Sequence, residues 1–151
     1  MIKYKLYVDL IPSSCFYTNL RSELPKEKWD ILRRMTYKNN NYKCEICGEQ
    51  GQKHPVECHE RWSFKNGIQK LVKLEVLCPM CHEATHFGLA QLRGRANIAL
   101  KRLMKVNNIS KKEAKKHIEE SFKLWRKRSE QEWKLDISYI DDILNIEEEE
   151  L

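Results

Sequence analysis

The chain has 151 residues, 41% hydrophobic and 33% charged, the size of one domain, and no run approaches the roughly 20 apolar residues needed to cross a bilayer. Its net charge of +6 is unevenly distributed: residues 91–128 carry 13 Lys/Arg against 3 Glu, and residues 129–151 carry 9 Asp/Glu against 1 Lys. A basic segment of this kind suits phosphate backbones, and a solvated helix face would look much the same.

In chain order, Ile2, Tyr4, Leu6, Val8 and Leu10 share one parity and Lys3, Lys5 and Asp9 the other, which predicts a half-buried strand ended by Pro12. This segment lacks the basic, apolar and small-residue regions of a signal peptide, so a cytosolic location is expected. Pro25 opens a predicted helix to about Tyr37, with Trp29, Leu32 and Met35 near helical spacing, before Asn39-Asn40-Asn41 breaks it. His54 to His59 and Leu71 to Leu77 read as short strands around a turn near Lys65-Asn66-Gly67. Leu89, Leu92, Ala96, Ala99, Leu103 and Val106 form a helical stripe interrupted by Gly94. Ser110 with Glu113 makes a capping box for another helix, whose stripe is Ala114, Ile118, Phe122, Trp125 and Trp133. Such stripes are core-forming by their spacing. Glu147 to Glu150 read as a solvated terminus; an acidic tail could also mimic DNA or shield the basic segment.

Disulfides rarely persist in a reducing compartment, so two Cys-x-x-Cys pairs among six cysteines point to metal. Cys44, Cys47, Cys78 and Cys81 supply the tetrahedral shell of one structural zinc ion. The thirty residues between Cys47 and Cys78 leave room for strand, turn and strand, so the zinc would staple the ends of a hairpin. Gly48 and Pro79 suit tight knuckle turns. Neither pair has the strand-to-helix setting of a thioredoxin-type redox motif. Cys15 and Cys58 are left over. His54 and His117 have no constellation around them and read as surface residues.

The segment Val56-Glu57-Cys58-His59, with Leu77-Cys78-Pro79-Met80-Cys81-His82-Glu83-Ala84-Thr85-His86, resembles the zinc-knuckle branch of the HNH, or ββα-metal, endonucleases over about residues 44 to 87. It is also similar to a group of small bacterial and phage HNH proteins with an ECHE or EAHE segment, a Gln-x-Leu strand and LCxxCHxxxH, here at residues 57–60, 69–71 and 77–86. The resemblance implies an α+β fold in which a central zinc-stapled ββα-metal module is flanked by an N-terminal strand and helix and by C-terminal helices. On that plan residues 1–151 form a single domain, with an N-terminal strand and helix at 1–43, the HNH-like zinc module at 44–90, a basic helical region at 91–135 and an acidic tail at 136–151.

The resemblance further implies metal-dependent hydrolysis of phosphodiester bonds in DNA, with His59 as the general base and His82 as a ligand of a catalytic divalent ion. An imidazole titrates near neutral pH and can take a proton from the attacking water. His82 and His86, four residues apart on one helix, face the same way and can bind one ion, whether Mg2+, Mn2+, Ni2+ or Zn2+. The chain departs from the family at two positions, with Cys58 where Asp or His usually precedes the base and about Lys73 where Asn is usual. Glu57 or Glu60 could supply the missing carboxylate, or a softer ion could be preferred. Arg61, Lys65, Lys70 and Lys73 are candidate backbone contacts, whereas Trp62 and Phe64 read as core. The expected setting is the cytoplasm of a bacterial cell or phage-infected host, and the expected partner is nucleic acid, with a protein partner as alternative. The rival function is a catalytically inactive zinc-binding module, a nucleic-acid- or protein-binding regulator, for instance phage-encoded and directed at a host enzyme.

Overall fold

The computed structural model describes residues 4–15, 18–50 and 55–150, with side chains to residue 144. The described residues form a mixed α+β fold with one three-stranded sheet and seven α-helices. Its centre is a hairpin of β1 (Glu57–Lys65) and β2 (Ile68–Leu77). Asn66 and Gly67 both take positive φ, 51° and 72°, which gives the two-residue turn whose twist matches that of the flanking strands. Because only two residues turn, pairing starts at Lys65↔Ile68 and runs out to Glu57↔Leu77. Both strands therefore extend closer to the turn than expected. Position 54, where the first strand was predicted to begin, lies outside the described residues.

The register slips between Arg61 and Trp62, so that Lys73 faces Arg61 and Leu71 faces Trp62. The residue passed over is Val72, which is 45% exposed, while Leu71 and Leu74 are both buried. A bulge of this kind turns two residues three apart to the same face, against the strict alternation of a flat strand.

Successive β1 side chains go to opposite faces. Cys58, Glu60, Trp62 and Phe64 face α1 (Leu20–Glu23) and α2 (Lys26–Asn39), where Leu20, Trp29, Leu32, Leu71 and Leu74 form one core. His59 and Arg61 face the side of α3 (Pro79–Thr85), where Leu77, Ala84, Phe87, Ala99, Leu100 and Leu103 form the second core. Burying each large side chain of these cores contributes roughly 1.5–3 kcal/mol.

After α3 come α4 (Phe87–Leu92), α5 (Ala96–Asn107) and α6 (Lys111–Arg128). Of the predicted stripe, Ala99 and Leu103 are buried, but Leu89 and Leu92 are 46% and 87% exposed. Gly94, with φ 70°, separates α4 from α5, so the two halves of the stripe do not share a helix axis. The Ser110 hydroxyl accepts from Glu113 N, capping α6 as predicted. The Trp125 indole donates to Ile11 O.

The predicted N-terminal strand is absent among the described residues; residues 4–10 form an extended strap instead. The alternation has the expected burial, with Leu6 and Val8 in the core, but side chains take the place of a neighbouring strand. Leu6 N donates to Asn107 Oδ1 (2.9 Å) and Asn107 Nδ2 donates to Leu6 O (2.6 Å). Val8 N donates to His117 Nε2 (2.9 Å), and Asp9 N donates to Thr85 O (3.0 Å). His117, expected at the surface, is half-buried because it receives this backbone donor.

The acidic C-terminal region is tied into the fold. Lys134–Asp136 (β3) pairs in parallel with Ile68–Lys70 of β2, and Tyr139–Glu150 forms α7, with Ile140 buried in the first core.

Candidate metal centres

The first pair of cysteines leaves α2 through Asn41 and Tyr42, both at positive φ, and closes a tight knuckle in which Cys44 N donates to Glu49 O and Gly48 N to Cys44 O. Gly48, at φ 80°, makes that closure without a side-chain penalty. Glu45 secures the knuckle to β2: its N donates to Val76 O, and its carboxylate accepts from Val76 N at 2.6 Å. That pairing sits two residues before Cys78, which caps α3, with Pro79 in the first turn and the Cys78 sulfur accepting from Cys81 N at 3.4 Å.

Cys44, Cys47, Cys78 and Cys81 consequently converge, and their sulfurs could hold one metal ion. The Cys47 and Cys78 sulfurs lie 3.6 Å apart, too far for a disulfide and close to the edge of about 3.8 Å implied by four Zn–S bonds of 2.3 Å. Hydrogen bonds from Cys78 and Cys81 hold the Cys44 thiol far below the ordinary range, while Cys44 and Cys78 push Cys81 far above it. Four sulfurs this close must share protons or a cation. The donor set fits zinc: soft, closed and mostly buried.

A second cluster lies at the other end of α3. His59 from β1 meets His82 and His86, with ring centroids 4.8–5.1 Å apart and ligand nitrogens all within 4.8 Å of one another. His59 is 3% exposed, and its Nε2 is buried without a hydrogen-bond partner. Such an orphaned nitrogen costs free energy unless something outside the protein meets it. Burial, with the electrostatic influence of His86, Arg61 and His82, holds His59 well below its ordinary value. Burial, with His82 and Arg61, lowers His86 to about 4. Neutral imidazoles are the form that binds metal. Among the described residues this cluster therefore fits a second divalent ion.

The remaining predicted site residues divide by strand face. Glu57 reaches the histidines, its Oε2 3.5 Å from His82 Nδ1, where a carboxylate orients the ring. Glu60 does not; it lies on the opposite face and accepts from Leu20 N at 3.0 Å. Cys58 is on that face too, bonded to Thr36, with burial pushing its thiol up to about 12. Arg61 is 5% exposed and committed within the protein, to Glu75 at 2.9 Å and Asp9 at 3.2 Å, with its guanidinium 4.3 Å from the Tyr7 ring centre. Lys73 pairs with Glu45 at 2.9 Å. Lys65 and Lys70 are exposed near the hairpin turn. Trp62 and Phe64 are buried, as expected. His54 lies outside the described residues.

Sequence reasoning missed Glu75 and Asp9, which hold Arg61 beside the histidines, and Arg102, which reaches the cysteines. Glu75 and Asp9 carry no local signal. Arg102 does, since it occupies the i+3 place of the apolar series Ala99, Leu103, Val106, where a charged residue calls for a buried counter-charge. Searches of protein-family models, curated proteins and solved structures give no match.

Proposed function

We propose that the protein is a metal-dependent endonuclease of the HNH type that hydrolyses phosphodiester bonds in DNA, with the three histidines as its centre and a four-cysteine zinc site as its scaffold. The observation that carries the proposal is the convergence of His59, His82 and His86 around the unpartnered Nε2 of His59, on the same hairpin and helix that gather the cysteines. A divalent ion bound there would neutralise charge developing on the phosphate and the leaving oxygen. His82 and His86 hold it from the helix, and Glu57 orients His82. The burial of His59 favours a third-ligand role over the general-base role expected for it, because a base must present its nitrogen to water. Arg61 is held beside the centre by Glu75 and Asp9, which engage its charge, and the exposed Lys65 and Lys70 are the cations available to the nucleic-acid backbone.

A specific observation favours a second reading, a non-catalytic binding module. Cys58 and Lys73, at the positions where the family usually has Asp or His and Asn, are turned to Thr36 and Glu45 rather than to the histidines. One assay decides between the two: cleavage of supercoiled plasmid and single-stranded DNA with Mg2+, Mn2+, Ni2+ or Zn2+. The nuclease reading predicts metal-dependent nicking that is lost in His59→Ala and His82→Ala. If folded, zinc-loaded wild type cleaves no faster than His82→Ala, the binding module stands.

A further inference from the structure

Arg102 lies on α5, on the stripe that packs into the second core, and is 7% exposed. Its Nη2 donates to the Cys78 sulfur at 3.7 Å and to Glu49 Oε2 at 3.3 Å, and its Nε is buried with no partner. The Glu49 side chain is 62% exposed, so the carboxylate is largely screened and is too weak a partner to justify burying a guanidinium. The buried charge is directed at sulfur.

The surroundings agree. An open cavity of about 280 Å³ beside Cys47 is lined by Lys5, Arg102 and Lys105, with Glu49 the only carboxylate on its wall among the described residues. Three cations against one carboxylate leave two positive charges. Four thiolates on one divalent zinc carry two negative charges, so the zinc-loaded centre neutralises this face, whereas four neutral thiols would leave it uncompensated.

We infer that Arg102 is a positioning residue of the zinc centre: its buried guanidinium, set against the Cys78 sulfur, is the fixed counter-charge that lets the four-cysteine site retain zinc. The inference rests on the reading of the four cysteines as a zinc site. Outer partners of metal ligands typically change affinity by about 10–100-fold, and that is the loss expected for Arg102→Met, which keeps the bulk and removes the charge.

The test uses the full chain. Zinc content of wild type is measured first, and zinc is then titrated away with a chromophoric chelator from wild type, Arg102→Met, Arg102→Lys and Glu49→Gln. The Co2+-substituted proteins are compared through their sulfur-to-cobalt charge-transfer bands. Expected are a 10–100-fold weaker hold in Arg102→Met, with a shifted charge-transfer band, substantial rescue in Arg102→Lys, and near-wild-type affinity in Glu49→Gln. Wild type without zinc would remove the zinc reading itself. Zinc-loaded wild type and Arg102→Met matching within twofold would overturn the role of Arg102, as would an equal loss in Glu49→Gln, which would reduce Arg102 to a salt-bridge partner. If Arg102→Met does not fold, Arg102→Lys decides: near-wild-type zinc retention upholds the charge role, and a loss of 10-fold or more overturns it.

Discussion

Cys78 caps the start of α3 and His86 caps its end, so one seven-residue helix serves two clusters of opposite character. At its first turn four soft sulfurs close a complete shell, three of them buried, and a buried arginine offsets their charge. At its last turn three imidazole nitrogens leave a shell incomplete, with His82 and His86 only partly covered. A filled shell with matched charge suits structural support, and an unfilled shell has room for a ligand. Distance along one helix thus separates a scaffold from a candidate reaction centre, and the histidine centre can be broken without the cysteine scaffold.

The largest effect is expected from the cysteine side. Cys81→Ser, or removal of the ion by chelator, forfeits binding free energy that reaches about 10–16 kcal/mol in zinc-finger peptides. Cooperative thermal unfolding followed by circular dichroism should be lost or moved down by tens of degrees; an unchanged melt would mean that the core around Leu77, Ala84 and Leu103 holds without metal. Next comes Arg61→Ala, which leaves the buried Glu75 and the partly buried Asp9 without their cation and should cost about 3 kcal/mol in urea denaturation. This substitution strikes the histidine side through its support, so zinc content should stay at the wild-type level.

Acid should act on the histidines first. His59 and His86 are neutral in the fold and protonate near their ordinary value of about 6.5 when unfolded. The unfolded chain therefore binds more protons below that value, and stability falls as pH drops toward 4. Asp9 and Glu60, raised by burial, act in the opposite direction, so the difference between wild type and His86→Gln isolates the histidine. That variant should flatten the decline by up to about 2 kcal/mol between about pH 6.5 and 5; parallel urea midpoints in the two proteins would contradict the lowered titration of His86. Smallest is Gly67→Ala. Nothing lies within 4 Å of the added carbon, so only the positive φ is strained, at about 1–2 kcal/mol. Stability should fall with both metal contents unchanged.

Local chemistry was legible in the sequence and long-range pairing was not. The cysteine spacing, the Asn66-Gly67 turn and the Ser110 cap are decided by residues within a few positions of one another, and each was found where expected. The i, i+4 spacing of His82 and His86 likewise placed them together. The strap at residues 4–10 shows the limit: period two reports that one side is buried, not whether the backbone partner is a strand or, as here, the side chains of Asn107 and His117. Glu60 and Cys58 could not be sorted from Glu57 and His59 until the face of β1 was known. α7 was read as tail, and β3 fell across the boundary drawn between the basic helical region and the tail, because their apolar residues, Leu135 and Ile140 among them, are sparse within an acidic run. Arg61, read as a backbone contact, is buried by partners 14 and 52 positions away.

The central claim is that one hairpin and helix carry two distinct metal centres, and metal stoichiometry tests it most directly. Native mass spectrometry of wild type, Cys81→Ser and His86→Ala, with Zn2+, Mn2+ or Ni2+ supplied, should find a tightly held zinc plus a second, exchangeable ion in wild type. The account predicts that His86→Ala keeps the first and loses the second. A wild type that never takes more than one ion, or a second ion that persists in His86→Ala, would contradict it.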